Sequence, residues 1–165
     1  MRGNDDARRT PIPDYDADSD AVIKWLQADS AVNSEHIGTL GFCIGGHLAF
    51  RRAFAQEIKA AVCCYPTGIP SGKLGLGIPD TIHRVNEITG EMLLVLGTLD
   101  PHIPEDDRHT LIMTLEQAKI PHKVLLYEAA HTFMPDDGYR YDSEASTSAW
   151  LEIVAFLSRV FPQQR

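Results

Sequence analysis

The stretch Gly41-Phe42-Cys43-Ile44-Gly45-Gly46 constrains the fold of this chain more than any other. It follows the short strand-like run Ile37-Gly38-Thr39-Leu40 and leads at once into a helix-like segment, His47 to Phe54. A strand that turns sharply into a helix about a single residue is a nucleophile elbow, which exposes a reactive side chain at the top of a sheet. The residue at the bend is strained, so its neighbours must be small. Gly41 and Gly45 are expected to supply that room. The residue at the bend is Cys43, so the nucleophile would be a thiol.

The rest of the chain alternates in the same way. Ile37 to Phe42 reads as a short buried strand, Ala60 to Tyr65 as a second, Met92 to Leu96 as a third and Lys123 to Tyr127 as a fourth. The third is wholly apolar, as a strand covered on both faces would be. Pro66 to Asp80 is rich in Gly and Pro and reads as a loop. Helices are expected from about Asp16 with Val22, Trp25 and Leu26 on one face, from Pro104 to Lys119 with Leu111, Ile112 and Leu115 inward, and at the end of the chain. The last carries Trp150, Ile153, Val154, Leu157, Val160 and Phe161 at i, i+3, i+4 spacing. Residues 1–15, charged and holding Pro11 and Pro13, read as an extended arm. Strand and helix in alternation predict an α/β fold, a mostly parallel sheet of about four strands flanked by helices. No linker divides residues 1–165, so one domain is expected.

Composition narrows the partners. A net charge of −8 argues against nucleic acid and anionic membranes. No apolar run is long enough to span a bilayer, and the polar start, Met1 to Asp6, lacks the apolar core of a signal peptide. Three cysteines are too few, and odd in number, for a disulfide framework. Cys63 and Cys64 lie in an apolar run and read as buried small hydrophobes. A reducing, cytoplasmic setting is therefore expected. His102 and His109 show no metal-binding spacing, and no metal or cofactor is expected.

In open parallel sheets, sites form beyond the C-terminal ends of the strands. Three residues lie just past such ends: Cys43, Asp100 and His131. Nucleophile, acid, histidine is the chain order of α/β-hydrolases. A thiol is mostly protonated at neutral pH and needs a base, which His131 would supply before protonating the leaving group. Asp100 would hold the imidazole in one tautomer. The backbone N–H of Ile44, at the head of the elbow helix, would be one oxyanion donor.

With these residues in place, the chain resembles the dienelactone hydrolase family from about Asp14 to Phe161. The resemblance rests on Gly41 to His47, on Gly97-Thr98-Leu99-Asp100-Pro101-His102-Ile103-Pro104, and on Tyr127-Glu128-Ala129-Ala130-His131-Thr132-Phe133. It implies a partial α/β-hydrolase fold, a Cys43–His131–Asp100 triad, and hydrolysis of a small ester or lactone without a cofactor. Two departures stand out. Only residues 1–36 precede the elbow strand, so the family's first strands, its second oxyanion donor and a thiol-activating carboxylate are expected to be missing. The family's substrate-binding arginine shortly after the histidine is also missing; the next arginine here is Arg140. Two rival readings follow, a non-catalytic binding scaffold that self-associates through an exposed sheet edge, and a redox-sensing thiol at Cys43.

Overall fold

The computed structural model of the chain describes residues 2–162. Its elements run α1 (Arg2–Arg9), α2 (Ile12–Ala28), β1 (Ile37–Phe42), α3 (Ile44–Arg52), β2 (Ile58–Cys64), a 3₁₀ helix (Thr81–Glu87), β3 (Glu91–Gly97), α4 (Glu105–Gln117), β4 (His122–Tyr127) and α5 (Ser143–Val160). The four strands form one parallel sheet in the order β1-β2-β3-β4. This is the expected α/β architecture. No helix among the described residues is long and apolar enough to cross a membrane.

The sheet is driven together by its two central strands. Ala60 to Cys64 and Met92 to Leu96 are buried on every residue, although successive side chains point to opposite faces. Both faces are therefore covered there, and each large side chain so buried stabilises the fold by roughly 1.5–3 kcal/mol. Strand β2 packs against both α3 and α5. The register aligns Phe42 with Cys64, Cys64 with Val95, and Gly97 with Tyr127. The C-terminal ends of all four strands thus open onto one rim.

Four sequence expectations change. Residues 2–9 and 12–15 are helical rather than an extended arm, the latter as the first turn of the helix expected from about Asp16; Met1 lies outside the described residues. The two prolines do not prevent this, because Pro11 is the N-cap of α2 and Pro13 lies in its first turn, where no intrahelical N–H is needed. Tyr15 Oη, donating to the Ala7 carbonyl, ties α2 to α1, and Leu76 N–H, donating to the Thr10 carbonyl, ties their corner to the loop after β2.

Helix α2 also turns a different face inward. Ile12 and Ile23 are buried, whereas Val22 and Trp25 are 56% and 64% exposed. The reason is electrostatic. Asp16 and Asp20, one turn apart, pair with Arg51 and Arg52 of α3 and set the rotation of the helix. Helix α5 is rotated in a similar way, burying Ala145, Ala149, Ile153 and Phe156 and leaving Trp150 and Val154 largely exposed. Small residues on the buried line let its backbone approach β2 and β3 closely.

Strand β1, expected to be buried, is half-exposed, and it forms the open sheet edge that the missing flanking strand implied. Among the described residues no strand pairs with its outer side. Gly38 and Leu40 are exposed, and only Ile37 and Gly41 are fully buried.

Candidate active site

The bend between β1 and α3 falls on Cys43, with φ 56° and ψ −121°. Such a conformation costs of order 1–3 kcal/mol and persists because its surroundings enforce it. The Cys43 N–H donates to the Cys64 carbonyl at 3.0 Å, and its own carbonyl accepts from Gly46 at 3.0 Å and His47 at 3.2 Å. The glycines that make room are Gly41 and Gly46 rather than Gly41 and Gly45. A Cβ on Gly41 would meet the Gly45 carbonyl oxygen at 1.9 Å, and one on Gly46 would meet that of Cys64 at 2.7 Å. A Cβ on Gly45 would meet nothing within 4 Å.

Asp100 and His131 come from the next exits along the rim. The two chains leaving β3 and β4 run tightly together: Thr98 N–H donates to the Tyr127 carbonyl and Leu99 N–H to that of Ala129. Gly97 permits this, since a Cβ there would lie 2.2 Å from the Ala129 carbonyl oxygen. Asp100 and His131 are 2% and 4% exposed. The loop after His131 is anchored at its far end by the N-cap of α5, where the Asp142 carboxylate accepts from Glu144 and Ala145 N–H.

The structure brings Cys43, His131 and Asp100 into one hydrogen-bonded line. His131 Nε2 lies 3.1 Å from Cys43 Sγ, and His131 Nδ1 lies 2.6 Å from Asp100 Oδ2. The other carboxylate oxygen accepts the His102 backbone N–H at 2.8 Å. The His102 ring sits edge-on to His131, 4.7 Å between centroids, and the buried Tyr65 ring lies 5.2 Å from His131 on another side.

The electrostatics follow from this line. Burial pushes the Cys43 thiol up, but the His131 hydrogen bond and charge, the Ile44 backbone N–H and the Thr67 side chain together outweigh it, and the net shift is downward. Burial likewise opposes a charge on His131, yet the hydrogen bonds to Asp100 and Cys43 and their charges push it up to about 9. A thiolate beside an imidazolium is the state these shifts favour. By contrast, burial holds Cys63 and Cys64 well above the usual thiol range, helped at Cys63 by the neighbouring Cys64, which leaves both inert.

Four residues near the site escaped sequence reasoning in whole or part. Thr67 lay in a segment read only as loop, although it stands just past the end of β2. His47 reads along the chain only as part of the elbow helix, and the structure buries it completely. His102, set aside as a poor metal ligand, packs on the catalytic histidine candidate. Arg140 donates to the His131 carbonyl at 3.3 Å and the Thr132 hydroxyl at 3.4 Å. Nine residues separate Arg140 from His131, so no local pattern points to that contact.

Residues 7–161 match the dienelactone hydrolase family. The chain is 33% identical over 153 residues to a Saccharomyces cerevisiae protein provisionally named a carboxymethylenebutenolidase, covering 88% of this chain and 56% of that protein. It is 29% identical over 160 residues to the carboxymethylenebutenolidase of Rhodococcus opacus, covering 93% and 61%. A crystal structure from Klebsiella pneumoniae, provisionally titled a dienelactone hydrolase, superposes with a TM-score of 0.74 at 25% identity, covering 87% of this chain and 60% of that one. The chain thus spans about six tenths of the length of these relatives.

Proposed function

This chain belongs to the dienelactone hydrolase family, and on that premise we propose that it hydrolyses carboxylic-ester or lactone bonds through a thioester on Cys43. The observation that carries the proposal is the unbroken line from Cys43 Sγ through His131 to Asp100, at 3.1 and 2.6 Å. The thiolate attacks the substrate carbonyl and forms a C–S bond. Negative charge moves to the carbonyl oxygen, which the Ile44 N–H meets at the positive end of α3. Collapse of that intermediate breaks the C–O bond, and His131 gives its proton to the departing oxygen. A water, deprotonated by His131, then attacks the thioester and regenerates the thiolate and imidazolium. Asp100 keeps Nδ1 protonated throughout, so that Nε2 faces the sulfur.

Two clefts beside the line could receive the substrate's two halves. One, of about 380 Å³, is bounded by Ile44, Thr67, Lys73 and Leu74. The other, of about 390 Å³, is bounded by Thr67, Ser71, Pro101 and His102. The substrate is a small molecule on this reading, and every step uses the protein's own groups. The three unpaired cysteines fit a reducing, cytoplasmic setting.

A chromogenic ester tests the proposal. Wild type should give a burst of alcohol followed by turnover, and Cys43→Ala should give neither. Equal turnover in the two proteins would refute it.

The open side of β1 favours a second reading, a scaffold that self-associates. Leu40 and Val22 are exposed beside that edge, and an unpaired strand invites pairing with another copy. Sedimentation at micromolar concentration decides this: a stable compact monomer counts against it, and a defined dimer supports it.

A further inference from the structure

His47 is wholly buried one helical turn after Cys43, and the hydrolytic steps above do not use its ring. A buried imidazole must satisfy both ring nitrogens. Nδ1 lies 2.8 Å from the Thr67 carbonyl, which can only accept, so Nδ1 carries the proton. Nε2 must then accept, and the Thr81 hydroxyl donates to it at 2.7 Å. The Thr81 oxygen accepts from Arg51 Nη1 at 3.0 Å, and Arg51 is itself held by both carboxylate oxygens of Asp16 and by Asp80. The ring is therefore locked in one tautomer and donates to one atom, the Thr67 carbonyl oxygen.

Thr67 passes that hold back to the elbow. Its backbone N–H lies 3.4 Å from the Cys43 carbonyl oxygen, which also accepts from the Gly46 N–H at 3.0 Å and the His47 N–H at 3.2 Å. Gly46 and His47 hold the carbonyl from within the helix, and Thr67 holds it from outside. The loop that carries Thr67 lies directly on the first turn of α3, where a Cβ on Gly46 would meet Pro66 Cα at 3.1 Å. The Cys43 carbonyl and the Ile44 N–H belong to one planar trans peptide, so they point in opposite directions and turn as a unit. Whatever fixes the carbonyl fixes the N–H. Ile44 opens α3, and the first N–H groups of a helix have no intrahelical acceptor. That N–H can meet a developing oxyanion in the cleft that Ile44 and Thr67 line together.

We infer that His47 is a positioning residue for the oxyanion donor: its ring, acting through the Thr67 backbone, clamps the Cys43–Ile44 peptide and keeps the Ile44 N–H aimed at the substrate's carbonyl oxygen. The inference rests on the Cys43 mechanism proposed above. It separates two properties of the site. Attack on an ester carbonyl needs the oxyanion donor. Alkylation by iodoacetamide does not: the thiolate forms a C–S bond as the C–I bond breaks, iodide leaves, and no oxyanion develops. Loosening the clamp should therefore slow acylation and spare alkylation.

The test compares both reactions in wild type, His47→Leu and His47→Asn. Leucine removes the ring's donor, and asparagine places an N–H close to where Nδ1 stood. Single-turnover acylation by a chromogenic ester is expected to fall by roughly tenfold or more in His47→Leu, with the half-saturating ester concentration nearly unchanged. His47→Asn should recover much of the loss. Iodoacetamide alkylation of Cys43, read by peptide mass spectrometry on the plateau of each protein's own pH profile, should keep its wild-type rate. With unchanged circular dichroism, equal acylation in wild type and His47→Leu would overturn the inference while leaving Cys43 as nucleophile. So would acylation and alkylation falling together. A wild type without a Cys43-dependent burst would instead overturn the mechanism on which the inference rests. Ring ¹⁵N shifts of wild-type His47 at pH 7 test the clamp even where a variant fails to fold. Neutral imidazole protonated on Nδ1 is expected, and protonation on Nε2 would overturn the clamp.

Discussion

The guanidinium of Arg140 caps the backbone of His131, donating to its carbonyl at 3.3 Å and to the neighbouring Thr132 hydroxyl at 3.4 Å. Thr132 sits at φ 59°, a left-handed conformation that a β-branched residue adopts only under constraint. The arginine therefore holds a strained turn that aims the imidazole at Cys43. It also stacks on the Tyr139 ring, which limits its own freedom.

Arg140→Ala should release this turn. We expect kcat for ester hydrolysis to fall by roughly tenfold or more, because small misplacements of a reacting group are costly. KM should change little, and Arg140→Lys should recover part of the loss. Steady-state kinetics on the three proteins checks this. A rise in KM at constant kcat would instead place Arg140 in substrate binding.

Asp100 orients His131 and stabilises its charge. Asp100→Asn keeps the shape but presents an amide, which can hold the wrong tautomer. By analogy with serine triads, kcat should drop by roughly 10³- to 10⁴-fold. Single-turnover acylation rates measure it, and a loss below tenfold would show that the carboxylate is dispensable.

His47 predicts an acid weakness of the fold. Its imidazole titrates near 4 when folded and near 6.5 when unfolded. Between those values the unfolded chain binds more protons, so stability is complete above pH 6.5 and is lost as pH falls toward 4. The loss is roughly 3 kcal/mol over that window. His131 is shifted the other way, to about 9, so its contribution is present below pH 6.5 and is lost on the alkaline side. Urea unfolding at pH 7 and pH 4.5 should show the drop, and His47→Gln should flatten it.

The two flanking glycines should behave unequally. Gly41→Ala drives a methyl into the Gly45 carbonyl and should cost at least roughly 2 kcal/mol. Gly45→Ala meets open space within a helix and should leave stability unchanged or slightly higher. Thermal melts of the two variants separate them.

Much of this molecule was legible along the chain. Apolar runs such as Met92 to Leu96 announce a strand covered on both faces, because only full burial rewards five consecutive large hydrophobes. Residues just past strand ends, Cys43, Asp100 and His131, could be named because a parallel sheet carries every exit to one rim. Element type and chain order depend on short-range patterns, and those are written in sequence.

What required the tertiary structure is everything set by contacts between distant segments. The rotation of α2 follows from Asp16 and Asp20 meeting Arg51 and Arg52, more than thirty residues away. That rotation exposes Trp25, which periodicity alone would bury. Whether Gly41, Gly45 or Gly46 tolerates a side chain depends on which carbonyl lies across from it. The hydrogen bonds that join Asp16 of α2, His47 and Arg51 of α3, Thr81 of the 3₁₀ helix and Thr67 of the loop after β2 link four segments distant in sequence. Hydrogen-bond direction is a property of partners in space, and the chain order of those partners carries no record of it.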